Sequence, residues 1–136
     1  MEKDIRQSIT DYKMPRYICE ILCNHYAKAF LDMTIICEND TYIFSYDKKN
    51  KRRLVYRELT EIDKLQLVLT LIMINDNNCQ MLIGAERYLI EPELIYSVRN
   101  RTDYNSIGIL FYPDTTMTPF NIKLMRFMDK IGTKNK

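Results

Sequence analysis

The 136 residues carry a net charge of +2, with 46% hydrophobic and 28% charged side chains, the balance of a folded globular chain and not of a disordered one. That length suits one domain with a core of its own, and so small a net charge gives no general reason to expect a polyanionic partner. The isolated glycines Gly84, Gly108 and Gly132 cannot be assembled into GxGxxG or GxxxxGK[ST], so nucleotide binding through those loops is excluded.

Residues 1–16 form a polar arm ending near Pro15, read as an edge strand or a loose segment. Tyr17–Cys23 reads as a first buried strand, and His25–Met33 as a loop or a turn of helix. Thr34–Cys37 and Thr41–Tyr46 flank the polar break Glu38-Asn39-Asp40. Tyr42, Phe44 and Tyr46 share one face, the period of two expected of a half-buried hairpin strand. Lys48, Lys49, Lys51, Arg52 and Arg53 crowd the next loop before a short strand over Leu54–Tyr56. Thr60 and Asp63 have the spacing of a capping box opening the main helix, Glu61–Ile74. Because that helix is apolar nearly all round, it should be central, with Leu69 and Ile72 inside. Asn75–Asn78 should end or fray it, since their side chains compete for backbone hydrogen bonds.

The ribbon Arg87–Asp114 organises the chain: apolar runs Tyr88–Val98 and Ile107–Tyr112 flank a polar loop, with Pro92 bending the first run. Thr118 as N-cap and Pro119 at the first helical position introduce a helix over Phe120–Ile131, with Gly132 as C-terminal cap. Residues 132–136 form a polar tail. The fold class is therefore α+β: a small antiparallel N-terminal sheet, a central buried helix, a β-ribbon and a C-terminal helix in a single domain over 17–131.

No catalytic constellation emerges. His25 is the only histidine; Glu91 and Glu93 flank Pro92 but have no further acidic or histidine ligand spaced nearby. The four cysteines, Cys19, Cys23, Cys37 and Cys79, lack metal-ligand spacing and read as reduced, buried thiols of a cytoplasmic protein. No catalytic, cofactor or metal site is assigned. The basic loop Lys48–Arg53 fits phosphate contacts in a nucleic-acid-binding module, the alternative reading, although it has no interleaved stacking aromatics. The longest apolar run, Leu65–Ile74, is too short to span a bilayer.

The order of elements and two motifs carry a resemblance. Tyr88, Leu89, Pro92, Glu93 and Ile95 match one motif, and Phe111, Tyr112 and Pro113 the other, of a family of uncharacterised Gram-positive domains that usually precede forkhead-associated domains. The layout is similar to the cytoplasmic pseudokinase module of the EssB/YukC component of type VII secretion, and in outline to a reduced protein kinase. The resemblance implies a non-catalytic interaction or scaffold domain in a bacterial signalling or secretion assembly. Its partner would be a protein, either a membrane secretion component, a phosphopeptide-binding component or a second copy of the chain. No HRD precedes Pro92 and Ile107–Tyr112 contains no DFG, so no kinase or other nucleotide-hydrolysing activity is expected. Tyr88, Tyr96, Tyr104 and Tyr112 are the candidate aromatic anchors.

Overall fold

The computed structural model describes residues 5–132, an α+β chain built on two small antiparallel sheets. The first sheet has β1 (Ile5–Thr10) and β2 (Asp32–Glu38) on either side of β3 (Thr41–Asp47). Ile5 pairs with Tyr46 and Thr10 with Thr41, while Asp32 pairs with Asp47 and Glu38 with Thr41. The arm therefore supplies an edge strand, and its first four residues lie outside the described part. Asn39 and Asp40 both take positive φ, 49° and 64°, so the polar break is a two-residue hairpin turn of the type that matches strand twist. Phe44 and Tyr46 are buried as their alternation requires.

Tyr17–Cys23 is not a strand. Arg16–Cys23 is a helix, α1, entered from Pro15. A strand would have placed Glu20 on the same face as Ile18 and Leu22. A helix instead stacks Ile18 and Leu22 one turn apart in the core and leaves Glu20 in water. Leu54–Tyr56 is also corrected. The strand is confined to Arg52–Arg53 (β4), with one further backbone bond from Leu54 N–H to Ile95 O at 3.0 Å; the chain then tightens into a 3-10 turn at Tyr56–Glu58, pinned by the Tyr56 hydroxyl to the Pro92 carbonyl at 2.8 Å.

The capping box is present. The Asp63 N–H donates to Thr60 Oγ1 and the Thr60 N–H to Asp63 Oδ2, each at 3.0 Å. It opens α2, which runs over Glu61–Gln80, straight through the asparagines expected to end it. Two of the three find tertiary side-chain partners in place of the backbone: Asn78 is buried and donates to the Tyr88 hydroxyl at 3.1 Å, and Asn77 donates to that of Tyr104 at 2.7 Å. The helix buries Leu67, Val68, Leu71 and Ile74 along one face. Burial all round is corrected, because Leu69 lies exposed on the opposite face and Ile72 is only half-buried.

The ribbon forms the second sheet, with β5 (Ile95–Ser97) between β4 and β6 (Ile107–Ile109). Pro92–Leu94 makes the bend. The outer edge of β6 is occupied by the backbone at 29–31: Leu31 N–H donates to Ile109 O at 2.9 Å and Ile109 N–H to Ala29 O at 2.8 Å. Beside this contact lies Gly108, where a Cβ would stand 2.9 Å from Leu31 Cδ2 and 2.8 Å from Lys51 Cδ, so a larger residue would have to displace those two side chains. Phe30, Phe44, Tyr88 and Phe111 then meet between the sheets, with Phe30 edge-on to Tyr88 at 4.9 Å and to Phe111 at 5.3 Å.

Helix α3 covers Phe120–Ile131 and ends at Gly132, φ 74°, as its sequence predicts. Its N-cap position belongs to Pro119, with no side-chain cap, so Thr118 lies one residue outside. Thr133–Lys136 lie outside the described residues. On its inner face, beside Phe127 and Ile131, stands Lys123, only 6% exposed. Its ammonium donates to the carbonyls of Ala85 and Tyr88 and meets Asp114 Oδ2, itself on a buried residue, at 2.7 Å. All three ammonium protons thus have acceptors. Lys123→Met should cost about 3–5 kcal/mol in denaturant unfolding, because Asp114 and two carbonyls lose their partner while buried. A loss below about 1 kcal/mol would mean that water replaces the lysine.

Candidate functional site

The four candidate tyrosines do not form one surface. Tyr88 and Tyr96 are buried, which corrects them as anchors: neither ring is offered to a partner. Burial pushes the Tyr88 phenol up to about 12, with the Asn78 hydrogen bond opposing, so it stays a neutral core group. Tyr104 and Tyr112 are half-buried. Tyr104 accepts from Asn77, and Tyr112 donates to the Ser8 carbonyl at 2.8 Å, tying the ribbon to β1.

The basic loop is divided by the fold. Lys49, at φ 52°, turns back to Asp32, with Nζ 2.8 Å from Oδ2. The stem of Lys51 lies over Gly108. Arg53 Nε donates to the Tyr96 hydroxyl at 3.3 Å, and Arg52 and Arg53 line a groove distinct from the hollow that holds Lys49. Lys48 is half-buried. The five charges therefore do not make a single phosphate track.

Around Lys49, His25, Asp32, Thr34, Ser45 and Asp47 line a hollow of about 260 Å³. His25 Nδ1 lies 3.3 Å from Asp32 Oδ1, a juxtaposition that sequence spacing did not reveal. The hydrogen bond from Lys49 holds the Asp32 carboxyl below its usual value, against the cost of partial burial, with His25 contributing in the same direction. Glu91 is engaged by Lys130 of α3, and Glu93 is exposed. Among the described residues no three His, Cys, Asp or Glu side chains gather as a metal site, and no helix is long and apolar enough to cross a membrane. Cys37 and Cys79 are exposed and Cys19 and Cys23 half-buried, which corrects the reading of all four as buried thiols.

The largest departure from ordinary surface chemistry is on α2. Ile62, Leu65, Leu69 and Met73 lie on its outer face at 50–77% exposure. Their spacing, i, i+3, i+7 and i+11, makes a continuous stripe about three turns long, with half-buried Ile72 beside it. No charged residue interrupts the helix from Leu65 to Asn75. The seam is the one that packs against another helix, and in the described fold it packs against none. The sequence carried the signal as an excess of apolar residues, but could not distinguish a second partner face from complete burial.

Protein-family models, curated proteins and solved structures give no match to this chain.

Because its folded pKa is depressed, Asp32 adds stability above its unfolded pKa of about 3.9, and this contribution is lost as pH falls through the folded value. Asp32→Asn should therefore make the acid loss of stability shallower below about pH 4. Urea midpoints across that range give the measurement; an unchanged slope would mean that the ion pair is fully screened.

Proposed function

We propose that this is a non-catalytic interaction domain, and that the outer stripe of α2 is its docking face. The observation that carries the reading is the exposure of Ile62, Leu65, Leu69 and Met73 on a helix whose opposite face is already packed. A folded chain gains nothing within itself by holding four large apolar side chains in water. A partner that buries them gains about 1.5–3 kcal/mol for each fully covered side chain, before the costs of association. Leu82, exposed just beyond the end of the helix, adds apolar surface at that end.

The resemblance supplies the proposed setting, a bacterial signalling or secretion assembly, and the partner is then a protein of that assembly. The absence of HRD and DFG motifs from the sequence supports the non-catalytic reading. The division of Lys48–Arg53 between two hollows weighs against an extended nucleic-acid track through that loop.

The test places a photo-crosslinking side chain at position 69 and, as control, at Gln7, exposed on the β1 edge. Irradiation in the source cells should give a protein adduct from position 69 and none from position 7. Leu65→Glu with Leu69→Glu should abolish association while changing unfolding free energy by less than about 1 kcal/mol. Leu67→Ala, on the packed face, should cost about 2–5 kcal/mol. If position 69 captures no protein and the double substitution unfolds the domain, the stripe belongs to the core.

A further inference from the structure

Three of the four cysteines are brought together by the fold. Cys19 and Cys23 stand one turn apart on α1 and so share one flank of that helix. Its buried face carries Ile18 and Leu22, and its other flank carries Tyr17, whose hydroxyl donates to the Leu82 carbonyl at 2.6 Å. Cys37 belongs to β2, which packs beside α1, and lies on the same strand face as buried Met33. We propose that Cys37 and Cys19 form an oxidation site, at which a peroxide oxidises Cys37 and Cys19 closes a disulfide on it.

A short chain of contacts joins the two. Cys37 is paired across the ladder with Tyr42, so the two side chains leave the sheet together. The Tyr42 hydroxyl accepts from the Met14 N–H at 3.2 Å, and the Cys19 thiol donates to Met14 Sδ at 3.3 Å. Tyr42 and Met14 are thus shared neighbours of Cys37 and Cys19. Cys23 lies toward the other end of β2, where α1 gives way to His25 and His25 meets Asp32, the first residue of the strand. The pair formed is therefore Cys19 with Cys37, and not Cys23 with Cys37.

Exposure sets the order of events. Cys37 is open to solvent, whereas Cys19 is half-buried and its thiol is pushed up by burial and then by the neighbouring thiols of Cys23 and Cys37. Peroxide therefore meets Cys37 first. The Cys37 thiolate attacks one peroxide oxygen; an S–O bond forms, the O–O bond breaks, and for hydrogen peroxide the departing hydroxide leaves as water. Cys37 is now a sulfenic acid, oxidised by two electrons. The Cys19 sulfur then attacks the Cys37 sulfur, forming the S–S bond and breaking the S–O bond, and the hydroxyl leaves with the thiol proton as a second water. Two thiols have lost two hydrogens and one peroxide has become two waters. The link fastens α1 to the first sheet.

The experiment treats the folded 136-residue chain with hydrogen peroxide, blocks the remaining thiols, and maps linkages by mass spectrometry. Trypsin with a glutamate-specific protease separates Cys19 from Cys23 at Glu20 and releases Cys37 on a third peptide. The expected product is the Cys19 peptide joined to the Cys37 peptide within one chain, two hydrogens lighter than the reduced pair and separated again by a thiol reductant. Cys37→Ser should abolish this product, and Cys23→Ser should leave it. Because Cys37 is exposed, its replacement should keep the thermal midpoint of the reduced chain, and the linkage map of the unaltered chain decides the matter if a variant does not fold. Cys37 carried to the sulfinic acid with no link formed would overturn the proposal. So would a link made to Cys23, or one made only between two copies of the chain.

Discussion

A lysine ammonium removed from water must find acceptors for all of its protons, and Lys123 finds them on segments far apart in the chain. The carbonyls of Ala85 and Tyr88 lie where the chain leaves α2 and enters the ribbon; Asp114 lies where the chain leaves the ribbon for α3. One side chain therefore fixes the entry and exit of the ribbon and the position of the closing helix. Burial lowers Lys123, with Asp114 working against that. The Asp114 carboxyl, raised by its own burial, is brought below its ordinary value by hydrogen bonds from Lys123 and Thr116. A buried pair of this kind is poor at adding net stability but costly to break, so it specifies an arrangement more than it strengthens one.

The aromatic cluster makes the same junction from the apolar side. Tyr88 meets Phe30 edge-on and Phe111 at a tilt, while its backbone carbonyl receives Lys123 and its hydroxyl receives Asn78 of α2. The hydroxyl of buried Tyr46 reaches the Phe111 carbonyl and links the first sheet to the ribbon. With every polar edge of these rings satisfied, the two sheets behave as one packed body.

What was legible in the sequence depended on whether local chemistry and tertiary packing agreed. The Thr60–Asp63 cap, the alternation in TYIFSYD, the bend at Pro92 and the α3 span to Gly132 are local signals that packing left alone. Tyr17–Cys23 failed because a short apolar run has no length to reveal its period; the position of Glu20 between Ile18 and Leu22 was the clue. The asparagines failed because Asn77 and Asn78 spend their side chains on tyrosines distant in sequence. Lys123 stood in view, since it shares spacing of four with Phe127 and Ile131, but a lysine on an apolar stripe has meaning only once Asp114 is beside it. Arg99 belonged to a polar loop until the turn at Val98–Arg101 brought it opposite β4.

The exposed stripe and the groove between β4 and the Val98–Arg101 turn share one structural origin. The Asn100 clamp on Val55 fixes the segment that becomes the Tyr56–Glu58 turn, and two residues later Thr60 caps α2. Farther along α2, Thr102 holds Gln66 at 2.7 Å and its carbonyl accepts from Thr70, so the loop that supplies Arg99 also braces the flank of the helix bearing the stripe. Neither feature contributes to the aromatic core. Both are held by polar contacts from the Arg99–Ser106 loop, whose sequence offers no apolar run and whose side chains Asn100 and Thr102 reach across to Val55 and Gln66. A core built on Tyr88 and Lys123 leaves that loop free to shape surface without disturbing the packing beneath, which is the division of labour expected where binding residues sit on loops carried by a rigid scaffold.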